Sequence, residues 1–171
     1  MVAARYRIEP LGTIHERANF ASGSADLDRY FRQQAGQDQR RHVAAVFVAV
    51  DMQLAEAVAG FYTLSATSVE VTALPPKVAA RLPRYPLLPA ILLGRLARDE
   101  RWRGQGLGEL LLTDALRRSL RLSAQLGLAF VVVDAKDDAV GSFYERYGFS
   151  RFPDQSRRLF IPLDRLATLG L

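Results

Sequence analysis

The sequence predicts an α/β (α+β) fold: a mixed, mostly antiparallel sheet with helices on both faces. Two observations predict it. Short β-prone runs alternate with amphipathic runs of helical period, in the order strand–helix–strands–helix–strand–helix–strands. A basic, glycine-rich turn stands between an apolar strand and the start of a long amphipathic helix. At 171 residues, with no internal repeat, low-complexity tract or linker, a single domain spanning 1–171 is expected.

Each element has a local reason. Arg5 to Glu9 is a short strand. Asp26 begins a helix with Ser24 or Ser22 as N-cap and acids in its first turn. Leu27, Tyr30 and Phe31 form its apolar stripe, and Arg40 and Arg41 sit at its far end, where cations suit the dipole. Val43 to Val50 and Ala57 to Thr67 are β-prone, joined by a hairpin connection. Leu74 to Pro89 is a proline-rich loop with room for one helical turn. Ala90 to Arg98 is a central strand. Leu107 to about Gln125 is a helix closed by Gly127, with Arg117, Arg118 and Arg121 on its outer side. Leu128 to Asp134 is a buried strand and Asp138 to Tyr147 a helix. Phe149 to Phe152 and Arg157 to Leu163 form a closing hairpin.

The turn carries the chemistry. It runs Glu100-Arg101-Trp102-Arg103-Gly104-Gln105-Gly106-Leu107-Gly108. Glycines there leave backbone N–H groups uncovered, and the helix start adds its unpaired donors and positive dipole end. Together they form a cradle for a phosphate or pyrophosphate. A nucleotide P-loop is excluded, because no Lys-Ser or Lys-Thr follows Gly108. A dinucleotide-binding fingerprint fits poorly. A charged insert separates strand from glycines, and Asp134 lies further on than the usual roughly 20 residues.

Arg103-x-x-Gly106-x-Gly108 resembles the pyrophosphate-binding motif of the GCN5-related N-acetyltransferase (GNAT) family, and a second motif agrees. Ala139-Val-Gly-Ser-Phe-Tyr144-Glu-Arg-Tyr-Gly148-Phe149 resembles that family's helix ending at a glycine and entering a strand. Val140, Phe143, Tyr144 and Tyr147 recur at helical spacing, and Gly148 suits a left-handed C′ position. The resemblance spans about Tyr6 to Phe160. It implies a fold in which two neighbouring parallel strands, here Ala90 to Arg98 and Leu128 to Asp134, splay apart to admit the acetyl group. It also implies acetyl-coenzyme A (acetyl-CoA) as co-substrate. Backbone N–H groups of Leu96 and Arg98, flanking Ala97, would hold the pantetheine and acetyl carbonyl. Those of Arg103, Gly104, Gln105, Gly106, Leu107, Gly108 and Glu109 would hold the pyrophosphate. The family usually has Asn seven residues before its tyrosine, where this chain has Asp137, a further cofactor-binding candidate.

Acetyl transfer from a thioester to an amine needs a neutral amine, an N–H for the developing oxyanion and a proton for the leaving thiolate. By the resemblance, Tyr144 is the general acid. On helical spacing alone it reads equally as a core aromatic. Cysteine is absent, which excludes disulfides, thiolate metal sites and a cysteine acyl-enzyme; no metal is expected, and attack is direct. His15 and His42 read as ordinary surface residues, so no dedicated base is evident. That favours an α-amine over a lysine amine as acceptor.

The net charge of +5 comes almost entirely from arginine, with lysine only at Lys77 and Lys136. Coenzyme A phosphates explain part of the excess; nucleic acid or a solvated basic surface explains the rest. No apolar run reaches the roughly 18 residues of a transmembrane helix, and the N-terminus lacks a signal pattern, so no membrane association and a cytoplasmic location are expected.

Phe20-x-Ser22-Gly23-x-x-x-Leu27-Asp28, Gly60-Phe61-Tyr62-Thr63-Leu64-Ser65, Leu93-Gly94-Arg95-Leu96-Ala97 and Leu159-Phe160 together resemble the acetyltransferase toxins of bacterial toxin–antitoxin pairs. Those toxins acetylate the α-amino group of aminoacyl-tRNA and so inhibit translation. The resemblance implies a ribbon-helix-helix antitoxin as partner and a homodimer. Arg40, Arg41, Lys77, Arg81 and Arg84 flank the expected acceptor entrance as tRNA phosphate contacts. Arg95, a charge inside an apolar strand, either pairs internally or faces substrate. Two alternatives stay open: a GNAT enzyme for a small amine or protein N-terminus without tRNA, and a non-catalytic acyl-CoA-binding regulator.

Overall fold

A computed structural model describes residues 2–171, without the side chains of the first two of these. Seven strands form one sheet: β1 (Tyr6–Pro10), β2 (Ala45–Asp51), β3 (Ala57–Glu70), β4 (Leu87–Arg98), β5 (Phe130–Asp134), β6 (Ser150–Phe152) and β7 (Gln155–Pro162). Their order is β1-β2-β3-β4-β5-β7-β6. The pairs β1–β2, β2–β3, β5–β7 and β6–β7 are antiparallel, and β4–β5 is parallel. The helices are α1 (Val2–Arg5), α2 (Ala25–Arg29), α3 (Ala35–Arg40), α4 (Pro76–Ala79), α5 (Leu107–Ser123), α6 (Asp138–Arg146) and α7 (Leu163–Thr168). The chain divides into two compact units, Met1–Ser65 with Gly94–Ala115 and Ala66–Leu93 with Leu116–Leu171.

In the first unit, helices cover both faces of the sheet. Val46, Val48, Val50 and Phe61 point one way, into a core shared with Phe20, Tyr30 and Phe31. Phe31 stacks on Phe61 with centroids 4.2 Å apart. Gly60 and Tyr62 point the other way, toward α5. Tyr62 donates to Asp114 at 2.5 Å. A Cβ at Gly60 would lie 2.8 Å from a Leu111 methyl and 2.9 Å from the Ala97 carbonyl, so only glycine lets α5 and β4 approach here. The register slips between Ala49 and Val50, leaving Ala59 as the extra residue of a bulge. Its carbonyl, turned out of the ladder, accepts the Asp99 N–H at 2.8 Å.

Ser24 caps α2 as expected, accepting from the Leu27 N–H. The helix does not continue as plain α. Tyr30–Gln34 forms a π-helical turn before α3 resumes. After α3, His42 adopts a left-handed φ of 59° while the Val43 N–H reaches back to the Asp38 carbonyl. This closure usually falls to glycine. His42→Gly is therefore expected to stabilise the protein by about 0.5–1 kcal/mol, read as an upward shift of the urea midpoint at unchanged slope. His15 departs from the expectation of a surface residue. Its ring is buried, accepts the Gly12 N–H at 2.8 Å on Nδ1 and contacts Glu9 at 2.7 Å through Nε2.

In the second unit, β4 and β5 pair from Ala90–Phe130 to Leu93–Val133. Leu88, Ala90, Phe130, Val132, Phe152 and Phe160 build a core with Val69 and Leu74. Besides shifts of one or two residues at the ends of β5, α6 and β7, larger departures from expectation occur. The strand β4 starts at Leu87 and runs through Pro89. The helix α5 ends at Ser123, and Gly127 has no positive φ, so the chain leaves the helix before that glycine is reached. A final helix, α7, follows β7 without a separating loop.

Candidate active site

The glycine-rich turn belongs to the first unit. Asp99 follows β4 directly and is fully buried; its carboxylate accepts the Ala21 N–H at 3.1 Å and the Arg101 N–H at 2.9 Å. Arg101 adds two side-chain bonds at 3.0 and 2.9 Å. Burial alone would raise this carboxyl, but these donors together hold it below its ordinary range. So anchored, Asp99 caps a 3-10 turn, Glu100–Trp102, that delivers the chain to Arg103.

Beyond Arg103 the chain turns on Gly104 (φ 75°) and Gly106 (φ 74°). Nothing lies within 4 Å of a Cβ placed at either, so conformation alone, not crowding, demands glycine. Leu107 opens α5, and the Leu110 N–H makes an α-helical bond to the Gly106 carbonyl at 3.1 Å. The N–H groups of the preceding helical residues have no acceptor within the helix. Gly108, read from sequence as part of the turn, lies in that first helical turn, with Glu109 beside it. Leu96, Ala97 and Arg98 are the last residues of β4; Ala97 is buried and the other two half-buried. An open, left-handed glycine turn entering a 17-residue helix fits a pyrophosphate.

Tyr144 lies on α6 in the second unit and is only 5% exposed. Its ring meets Phe143 and Phe149 edge-on at 5.3 and 5.4 Å. Burial pushes its phenol well above the usual range, so it is protonated at neutral pH. The helix ends as expected. Gly148 has φ 96°, and the Phe149 N–H returns to the Tyr144 carbonyl. Asp137 is the N-cap of α6, accepting the Val140 N–H at 2.9 Å, which commits one of its oxygens to the helix.

Among the described residues Arg95 makes no ion pair. Its guanidinium lies 3.5 Å from the centroid of the Tyr30 ring. Both line a cavity of about 420 Å³ with Asp26, Leu27, Arg29, Gln33 and Gln34. Among the described residues the buried Tyr30 hydroxyl has no hydrogen-bond partner, and burial pushes it up to about 12 against the opposing charge of Arg95. The π-helical turn puts Tyr30 there, a feature that helical periodicity does not reveal. Arg40 and Arg41 lie exposed at the end of α3 in this unit. Lys77 and Arg81 line a different cavity in the second unit, and Arg84 is exposed nearby in sequence. Among the described residues no group of three or more His, Cys, Asp or Glu is placed to hold a metal ion. No helix among them is long and apolar enough to cross a membrane.

The model of the acetyltransferase (GNAT) domain matches residues 42–151, and the chain belongs to that family. It is an N-acetyltransferase that uses acetyl-CoA. It is 31% identical over 175 residues to a probable toxin TacT of Sinorhizobium fredii, covering 98% of this chain and 96% of that one. It is 33% identical over 153 residues to a tRNA-acetylating toxin of Mycobacterium tuberculosis, covering 89% of each. Among solved structures, a tyrosine-to-phenylalanine variant of KacT superposes with TM-score 0.90 at 25% identity, over 96% of this chain and 99% of that one. AtaT complexed with acetyl-methionyl-tRNAfMet gives 0.89 at 25% identity, over 97% and 99%.

Proposed function

We propose that the chain is a single N-acetyltransferase domain that acetylates the α-amino group of aminoacyl-tRNA, and so acts as a translation-blocking toxin. The observation that carries this reading is the likeness, at 33% identity over 89% of the chain, to a tRNA-acetylating toxin. The surface charge supports it. Arg5, Arg7, Arg29, Arg101 and Arg151 are each ion-paired. Among the described residues, Arg40, Arg41, Lys77, Arg81 and Arg84 make no ion pair, which leaves them available to phosphates.

In this reading the N–H groups from Arg103 to Glu109 bind the pyrophosphate, and those of Leu96 and Arg98 the pantetheine arm and acetyl carbonyl. Asp137 contacts the donor with the oxygen not committed to its cap. The amine attacks the carbonyl carbon, its C–N bond forms and the C–S bond breaks; the proton the amine gives up passes to water, and water later returns one to the phenol. Tyr144 supplies one proton to the departing thiolate through its phenol oxygen. With an α-amine titrating near 8, a neutral nucleophile is already present at working pH. Arg95 and Tyr30 border the acceptor.

Antitoxins accompany solved relatives, as in AtaT bound to the C-terminus of AtaR. A ribbon-helix-helix antitoxin, a homodimer and a cytoplasmic location complete the proposal. Incubation with labelled acetyl-CoA and a full set of charged tRNAs tests it. One or a few aminoacyl-tRNAs are expected to acquire acetyl groups. Acetylation of free amines or protein N-termini, with every charged tRNA left unmodified, overturns it.

A further inference from the structure

The tip of the turn is held, through Gln105 at a variable position of the family motif, by residues outside that motif. Gln105 stands between the two left-handed glycines, and its Oε1 accepts from Arg5 Nη1 at 3.1 Å and from the Tyr6 hydroxyl at 3.0 Å. The rest of the Arg5 guanidinium is spent on Asp51. Nε lies 3.0 Å from both carboxylate oxygens and Nη2 2.5 Å from one. Asp51, at the end of β2, also accepts the Trp102 indole N–H at 2.7 Å and the Gln53 N–H at 2.9 Å. It is wholly buried, and the Arg5 hydrogen bonds hold it down to about 2.

One buried carboxylate therefore fixes the turn at two points: directly at Trp102, which leads into it, and through Arg5 at Gln105, its middle. The turn needs such fixing. Two consecutive-but-one glycines carry much backbone entropy, and nothing packs within 4 Å of either Cβ position. A cradle of N–H groups binds a pyrophosphate tightly only when the N–H groups already point inward. The Arg5 charge also neutralises Asp51, which would otherwise place a buried anion beside an anionic ligand.

We infer that Asp51, through Arg5 and Gln105 and with Trp102, is a positioning residue that sets the pyrophosphate turn in its binding conformation. The inference rests on acetyl-CoA being bound at this turn. Trp102 is the sole tryptophan of the chain, so its fluorescence reports the titration of the full-length protein with coenzyme A. Asp51→Asn is expected to weaken coenzyme A about tenfold, and the isosteric Tyr6→Phe about threefold, the worth of one or two hydrogen bonds. With saturating acetyl-CoA, kcat stays within twofold. With acetyl-pantetheine, a donor that lacks the nucleotide and pyrophosphate, both variants match the wild type. Arg5→Gln is expected to weaken coenzyme A more than Asp51→Asn does, because it strands the buried charge, and adding Asp51→Asn to it restores part of the loss. Unchanged coenzyme A affinity in Tyr6→Phe and Asp51→Asn overturns the inference. So does an equal loss with acetyl-CoA and acetyl-pantetheine, the mark of a merely structural role. A wild-type protein that fails to bind coenzyme A removes the donor site itself, a failure distinct from these two.

Discussion

Tyr144→Phe is expected to lower kcat about 10²–10⁴-fold with the KM for acetyl-CoA nearly unchanged. The physical ground is twofold. The ring packs edge-on against Phe143 and Phe149 with centroids 5.3 and 5.4 Å away, contacts that phenylalanine keeps, so the variant should fold. In the proposed mechanism the hydroxyl protonates the leaving thiolate. Burial holds it protonated far into the alkaline range, so a proton donor is present at every pH at which the protein works. The titration has a sign that can be checked. Above pH ~10 the unfolded tyrosine loses its proton while the native one retains it. The native state then binds more protons, and stability falls as pH rises through the unfolded value. Tyr144→Phe should flatten that alkaline limb of the stability curve while slowing turnover. Steady-state kinetics and alkaline urea titrations measure the two effects separately. Turnover that survives the substitution would assign the leaving-group proton to another donor.

What could be read from the sequence was whatever one residue type imposes by itself. Gly148 announces left-handed backbone and has it, and Gly104 and Gly106 announce an open turn and form one. Ser24 before an acidic turn announces a cap, and the β-branched runs announce β2, β3 and β5. What escaped depended on partners remote in sequence. Asp51 looks like the first polar residue after a strand; its meaning comes from Trp102 and Arg5, 51 and 46 positions away. The π-helical turn adds a residue to a helix without disturbing its composition, so the stripe Leu27, Tyr30, Phe31 reads as plain α. Gly127 misled for the opposite reason. A glycine after a helical run is the usual stop, yet α5 ends at Ser123. Pro89 likewise argued for a loop, though a strand tolerates proline where its missing N–H has no ladder partner.

The proposed acceptor makes a strong demand on ionic strength. Arg40, Arg41, Lys77, Arg81 and Arg84 are exposed and, among the described residues, free of ion pairs. Their neighbours in type, such as Arg101 on Asp99 and Arg151 on Glu145, are neutralised locally. An unpaired surface arginine pays no partner-breaking cost when a phosphate displaces its counterion, so each contact should appear in the salt dependence. If four of the five touch tRNA phosphates, affinity should fall about 10²-fold between roughly 50 and 200 mM salt. The KM for charged tRNA should rise accordingly, with kcat at saturation little changed. Each single substitution to glutamine should reduce the slope of log affinity against log salt by about 0.7–0.9 where that side chain contacts a phosphate, and leave it unaltered where it does not. The slope thus sorts the five residues individually, which loss of activity alone does not. Acetyl-CoA is the internal control. Its proposed cradle is made of backbone N–H groups and a helix terminus, so none of these substitutions should move its KM. A salt-independent KM for tRNA would strip the surface arginines of this role and turn the choice toward a small amine or a protein N-terminus as acceptor.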